Sequence, residues 1–276
     1  MGISKELDGP FPWREAPVAD YAVIGDPISH SRSPQMHNAA YQALGLTLRY
    51  TSVHVPRGEV TEALDHLKGL GYKGINVTVP HKEEVIDWLG DCDAFASRVR
   101  SVNTIRMADK FGFNTDAPAF METLRLLNLP PGTPTLVLGA GGSSRAIATA
   151  LSEDGYPLHI WNRTPGKARA LVKELDLEDA LAIDTPDIRG AGLIVNATSA
   201  SLAGERLPIN WDDAIPGAVA YDVMYGAALN SFLDEASLGG VRAVDGLALL
   251  VMQGALAFEF WVKKNAPHEV MWEAVR

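Results

Sequence analysis

The chain has 276 residues, with 24 Lys+Arg against 34 Asp+Glu for a formal charge of −10, and is 47% hydrophobic and 21% charged. That length suits one large or two modest domains with enough apolar content for a core, and it excludes disordered and collagen-like classes. An acidic balance without any Lys/Arg run argues against nucleic acid or an anionic membrane as partner, leaving a small molecule as the expected ligand.

Residues 1–20 mix Lys5, Glu6, Asp8, Arg14 and Glu15 among prolines, lack an apolar signal region, and read as a leader or mobile arm. Beyond them β-rich runs alternate with helical patterns, the signature of βαβ units. Strands are predicted over 21–25, 49–55 and 75–79, and helices over 34–44, 59–70 and 82–89. Ser33 followed by Pro34 reads as a helix N-cap with proline at the first helical position. The hydroxyls of Ser31 and Ser33 also stand where a helix N-terminus can hold a carboxylate. Thr78 and Lys82 follow the third strand, at the edge where open αβ sheets bind ligands, although Lys82 taken alone reads as a surface lysine starting a helix. The single cysteine, Cys92, can form neither an intrachain disulfide nor a thiol cluster for zinc, which predicts a reducing, cytoplasmic setting. Asn103 and Asp116 add an amide and a carboxylate in apolar surroundings, with helix capping an equal reading for Asp116.

A helix over 117–127 would link two domains, and the run Asn128-Leu-Pro-Pro-Gly-Thr-Pro134 ends it. A second series places strands at 135–138, 158–162, 193–196 and 219–223, with helices starting near Ser143 and Lys167. The turn Gly139-Ala140-Gly141-Gly142-Ser143 between an apolar strand and a helix former is built for a pyrophosphate: glycines allow close approach, and free N–H groups and the helix dipole meet the charge. About 20 residues later, where an NAD-selecting fold keeps an acid, stand Asn162, Arg163 and Thr164. The Arg163 guanidinium suits a 2′-phosphate, with Lys167 adding charge one turn on, so the pattern favours NADP. The apolar run 247–262, interrupted by Gln253 and Glu259, is shorter than the roughly 20 residues needed to span a bilayer and reads as a buried helix returning to the first domain. None of the seven histidines falls in an H-E-x-x-H pattern, so no metal is expected.

The predicted class is therefore α/β with two αβ domains. A mostly parallel-sheet substrate domain would cover 1–117, completed by 246–276, and a Rossmann-type NADP-binding domain 118–245.

Nine motifs resemble the shikimate dehydrogenase family, in family order: Gly-Asp-Pro-Ile-Ser-His-Ser-Arg-Ser-Pro-Gln-Met-His-Asn at 25–38, Asn-Val-Thr-Val-Pro-His-Lys at 76–82, Val-Asn-Thr at 102–104, Asn-Thr-Asp at 114–116, Gly-Ala-Gly-Gly at 139–142, Asn-Arg-Thr at 162–164, Asn-Ala-Thr-Ser at 196–199, Tyr-Asp-Val-Met-Tyr at 221–225 and Asp-Gly-Leu with Gln253 at 245–253. The resemblance implies reversible NADPH-dependent reduction of 3-dehydroshikimate to shikimate, on the way to chorismate and the aromatic amino acids. It implies Lys82 and Asp116 as the catalytic pair. Ser31, Ser33 and Tyr225 would lie at the substrate carboxylate, and Thr78, Asn103, Asp116 and Gln253 at its hydroxyls. Gly139 to Ser143, Asn162 to Thr164, Lys167, Ala197, Thr198, Val223 and Gly246 would meet the cofactor, in a monomer or homodimer. Three segments depart from the family pattern: Ala117-Pro-Ala-Phe120 where Gly-x-Gly usually follows the aspartate, Ala200-Ser201 where Gly-Met is common, and Gly226-Ala-Ala-Leu-Asn230 after the second tyrosine. A quinate/shikimate dehydrogenase using NAD or both cofactors, and a noncatalytic dinucleotide or shikimate sensor, are the competing expectations.

Overall fold

The computed structural model describes residues 9–226 and 231–276. In chain order the elements are β1 (Phe11–Pro12), β2 (Tyr21–Gly25), α1 (Ser33–Ala43), β3 (Tyr50–His54), α2 (Val60–Gly69), β4 (Gly74–Val77), β5 (Asp91–Cys92), α3 (Ala94–Val99), β6 (Thr104–Arg106), β7 (Phe111–Phe113), α4 (Asp116–Leu126) and β8 (Thr135–Leu138). They continue with α5 (Gly142–Glu153), β9 (Leu158–Trp161), α6 (Pro165–Glu174), β10 (Ala180–Ile183), β11 (Leu193–Asn196), β12 (Val219–Asp222), α7 (Ser231–Leu238), β13 (Arg242–Val244), α8 (Leu247–Val262) and α9 (His268–Val275). Two compact units emerge: Met1–Thr115 with Val251–Arg276, and Asp116–Leu250.

The first unit holds a seven-stranded sheet in the order β1-β3-β2-β4-β6-β7-β5. β2 pairs in parallel with both β3 and β4, which makes the carboxyl ends of β2 and β4 a topological switch point. β6 runs antiparallel to β4 and β7. These short strands escape sequence reading because three residues show no usable alternation.

Two local expectations are corrected. Residues 82–89 do not form an α-helix; Lys82 lies in a turn and a 3-10 helix covers Glu84–Trp88. Val85 and Trp88, three apart, are both buried, and three residues per turn stacks that spacing where 3.6 would splay it. The expected mobile arm is docked from Phe11 onward. Phe11 and Pro12 pair with Val53 and His54 on the sheet edge, where a proline is tolerated, and buried Trp13 donates its indole N–H to Glu59 at 2.7 Å.

The C-terminal segment of this unit packs through glycines. A Cβ on Gly254 of α8 would lie 2.2 Å from Met36 of α1, and one on Gly74 of β4 would lie 2.4 Å from the Trp261 ring. Trp261 donates its indole N–H to the Ile105 carbonyl at 3.0 Å, and Arg32 donates to the Val275 carbonyl at 2.6 Å.

In that layer His37 is fully buried, stacked 4.3 Å from Tyr50, with neither ring nitrogen hydrogen-bonded. Burial pushes its pKa from 6.5 down to about 3. Between those values the unfolded chain binds a proton that the folded chain refuses, so this contribution is fully present above pH 6.5 and is lost as pH falls. The expected slope from this one group approaches about 1.4 kcal/mol per pH unit. Urea titrations from pH 7 to 4 check it: His37→Phe should be less pH-dependent than the parent, and parallel curves would refute the assignment.

The second unit is a six-stranded, wholly parallel sheet ordered β10-β9-β8-β11-β12-β13. Counted within the unit, this is 3-2-1-4-5-6, the doubly wound dinucleotide-binding order, with its switch point between β8 and β11. Its central strands are short apolar runs buried on both faces, which is why they stand out in the sequence.

Candidate functional site

The first unit brings two loops together at its switch point. The Thr78 N–H donates to the Ile24 carbonyl at 2.9 Å and the Asp26 N–H to the Val79 carbonyl at 3.0 Å. The Asp26–Pro27 and Val79–Pro80 bonds within these turns are both cis. A Cβ on Gly25 would lie 2.5 Å from the Thr78 methyl, so only glycine admits this approach. The turn that leads on to Ser31 and Ser33 thus meets, at Asp26, the turn that leads through Val79 to Lys82.

α1 begins at Ser33 rather than Pro34, and no side chain caps it, which corrects the N-cap expectation. Ser31 Oγ instead accepts the Ser33 N–H at 3.3 Å, and Ser33 is buried. The Lys82 carbonyl accepts the Val102 N–H at 2.8 Å, which anchors the turn while the residue stays half-buried. Asn103 is buried, its Oδ1 accepting the Thr115 N–H at 2.8 Å and its Nδ2 donating to Thr115 Oγ1 at 2.9 Å. Its carbonyl accepts from Asn76 Nδ2, and Asn76 Oδ1 accepts the Tyr50 hydroxyl at 2.7 Å. A buried polar network therefore holds the segment leading to Thr115. Gln253 is half-buried on α8, next to the close-packed Gly254.

Asp116, next in sequence, opens the second unit as the first residue of α4 rather than its cap, and it is buried. A carboxylate in the first turn suits the helix dipole. The unusual Ala117-Pro-Ala-Phe120 continues α4. Pro118 sits in the first turn, where its missing N–H costs nothing, and Phe120 packs edge-on against Tyr221 at 5.2 Å.

The glycine turn has the geometry of an anion cradle. Gly139 sits at φ +120°, and a Cβ there would meet Ser144 Oγ at 2.6 Å and the Ala197 carbonyl at 3.1 Å. Gly141 is the N-cap of α5 with no side-chain cap, and a Cβ on it would meet nothing within 4 Å. A helix N-terminus and open space therefore coincide, with Ala140, Gly142 and Ser143 half-buried beside them. This fits a dinucleotide pyrophosphate. Past β9, Asn162 Nδ2 donates to the Thr164 carbonyl at 3.0 Å, while Arg163, Thr164 and Lys167 are exposed. Arg163 pairs with Glu205 at 2.9 Å.

The structure adds a cluster that local sequence reading missed. Asp222, wholly buried, accepts from Asn196 Nδ2 at 2.8 Å, from Ser201 Oγ at 2.5 Å and from the Met224 N–H at 2.8 Å. Asn196 Oδ1 in turn accepts the Thr198 hydroxyl at 2.6 Å and its N–H at 3.1 Å. The Met224 carbonyl accepts the Gly246 N–H at 2.8 Å, and a Cβ on Gly246 would lie 2.2 Å from the Val223 carbonyl oxygen. One carboxylate thus braces the loops bearing Ala197, Thr198, Val223 and Gly246. Ser201, a departure from the family pattern, supplies one of its donors. Asn196 and Asp222 are register partners ending adjacent apolar strands, the one sequence signal that could have found them. Tyr225 is half-buried, and residues 227–230 of the third departing segment lie outside the described residues.

Among the described residues no three His, Cys, Asp or Glu side chains form a potential metal cluster, and no helix is long and apolar enough to cross a membrane.

Residues 23–105 match the family model described as the shikimate dehydrogenase substrate binding domain. The shikimate dehydrogenase (NADP(+)) of Natronomonas pharaonis is 38% identical over 262 residues, covering 93% of this chain and 98% of that protein. The crystal structure of shikimate dehydrogenase from Aquifex aeolicus superposes with a TM-score of 0.86 at 35% identity, over 93% of this chain and 97% of that one. That of the Thermus thermophilus enzyme, solved with NADP(H) and shikimate, gives 0.83 at 37% identity, over 93% and 98%.

Proposed function

The chain belongs to the shikimate dehydrogenase family, and from that premise we propose that it catalyses the reversible NADPH-dependent reduction of 3-dehydroshikimate to shikimate, a step toward the aromatic amino acids. The observation that carries this reading is the meeting, at the β2/β4 switch point, of the turn that leads from β2 to the serine-bearing start of α1 and the turn that leads from β4 through Thr78 to Lys82. A helix N-terminus with serine hydroxyls suits the substrate carboxylate, and a lysine near a polar edge suits proton transfer.

NADPH when bound supplies the hydride, and the protein supplies orientation and charge. Ser31 and Ser33 hold the substrate carboxylate, with Tyr225 at the same end. Thr78, Asn103 and Gln253 orient the ring hydroxyls. Lys82 gives its ammonium proton to the oxygen that gains negative charge as the ketone is reduced, and takes it back in the oxidative direction. Asp116 completes the pair by accepting a hydrogen bond that fixes the reacting hydroxyl. Gly139 to Ser143 seat the pyrophosphate, Arg163 and Lys167 answer the 2′-phosphate with Asn162 and Thr164 beside them, and the braced loops with Ala197, Thr198, Val223 and Gly246 receive the nicotinamide end. We place the protein in the cytoplasm as a monomer or homodimer, with a discontinuous substrate domain and an inserted NADP domain.

Steady-state rates with shikimate plus NADP⁺, shikimate plus NAD⁺, and quinate with either cofactor test the assignment. Shikimate with NADP⁺ should be the preferred combination. Preference for NAD⁺ or quinate would replace the reading with the broader quinate/shikimate activity, and absence of turnover in all four would leave a sensor.

A further inference from the structure

Arg163, the residue assigned to the 2′-phosphate, does not stand as an isolated cation. Its Nη1 lies 2.9 Å from Glu205 Oε2, with 82% of the arginine side chain and 52% of the glutamate side chain exposed. Glu205 is 42 residues away, and its place is built rather than incidental. Its N–H donates to the Ala200 carbonyl at 2.9 Å, its carbonyl accepts the Ser231 hydroxyl at 3.3 Å, and Gly204 before it turns the chain at φ +64°. The Ala200 N–H in turn donates to Thr198 Oγ1 at 3.1 Å, so the turn is continuous with the loop that Asn196 braces. The next residue, Arg206, is drawn away to Glu235 at 2.9 Å and does not compensate Glu205.

We propose that Glu205 is a specificity-determining residue that occupies Arg163 and sets the preference between NADP(H) and NAD(H), an inference that rests on Arg163 being the 2′-phosphate site. A phosphate carrying about −1.5 to −2 charges must share the guanidinium with the carboxylate or displace it from Nη1, and lies close to it either way. A 2′-hydroxyl meets no such opposition and can donate a hydrogen bond to the same carboxylate. Glu205 therefore taxes NADP(H) and spares NAD(H), so that Arg163 alone would discriminate more sharply than the pair does. The pair is solvated, which bounds the effect: an exposed ion pair is worth up to about a fivefold change in binding, and like-charge repulsion adds a few-fold in low salt.

Calorimetric binding of adenosine 2′,5′-bisphosphate and of adenosine 5′-monophosphate isolates this end of the cofactor without requiring turnover. Glu205→Gln should tighten the bisphosphate by about three- to tenfold at low salt, shrinking toward parity in about 1 M salt, and should not tighten the monophosphate. The KM for NADP⁺ should fall in parallel and that for NAD⁺ should not. An unchanged or weaker bisphosphate affinity, or equal tightening of both nucleotides, overturns the role of Glu205. Arg163→Ala separates this from failure of the underlying reading. If Arg163→Ala weakens the bisphosphate more than tenfold while Glu205→Gln does nothing, only the inference on Glu205 falls; if Arg163→Ala leaves the bisphosphate untouched, the 2′-phosphate site lies elsewhere and both fall.

Discussion

Lys82→Ala is expected to lower kcat by about two to four orders of magnitude, the usual contribution of a positioned general acid, while leaving NADPH affinity near the parent value. Reduction of a ketone places negative charge on its oxygen, and without a donor within hydrogen-bond reach that charge must wait for water. The substitution is a clean probe because the turn around Lys82 is held by its backbone, through the Lys82 carbonyl and the Val102 N–H and through the neighbouring His81 N–H and Thr78 carbonyl. Lys82→Arg should not restore the rate, since a guanidinium does not release its proton near neutral pH. Rapid-mixing measurement of NADPH oxidation, with a separate fluorescence titration of NADPH, checks both halves. Equal single-turnover rates in Lys82→Ala and the parent would remove Lys82 from the chemistry.

Asp222→Ala is expected to cost about 2–4 kcal/mol of stability, because buried donors that lose their acceptor keep their full desolvation penalty. The carboxylate collects the Met224 N–H together with the Asn196 amide and the Ser201 hydroxyl, the last two in bonds buried from water. Ser201→Ala, which removes one donor and keeps the Asn196 amide and the Met224 N–H, should cost about 1 kcal/mol. Urea midpoints give the stabilities. NADPH affinity should fall more in Asp222→Ala than in Ser201→Ala, since the same bonds shape the loops assigned to the nicotinamide. An Asp222→Ala protein as stable as the parent would contradict the buried network.

Much of this was legible locally. The glycine turn at 139–142 announced itself because an apolar strand, a tight glycine turn and a helix start must follow in that order for a pyrophosphate to approach. Arg163 could be singled out because its position in a dinucleotide fold is set by the length of one βα unit. The strands at 21–25, 135–138 and 193–196 stood out because both of their faces are buried and their runs are unbroken. For Lys82 the sequence indicates the carboxyl end of β4, as observed, but a helix where the chain forms a turn and then a 3-10 helix, since the two share similar first few residues. β6 and β7 were missed because three-residue strands owe their existence to the neighbours they pair with.

Local sequence specifies the alternation of strands and helices, the glycine turn between β8 and α5, the absence of an acid just past β9, and the residue types on offer beyond β2 and β4. These are properties of short segments, where periodicity and backbone freedom act within a few residues. That Asp222 is a fully buried brace, that His37 lies buried between aromatic rings with both nitrogens unpaired, and that Glu205 answers Arg163 across 42 residues are consequences of the strand order and packing. Burial and charge pairing depend on which distant segments the strand order brings together, and the energy of a charge depends on that environment more than on its neighbours in the chain.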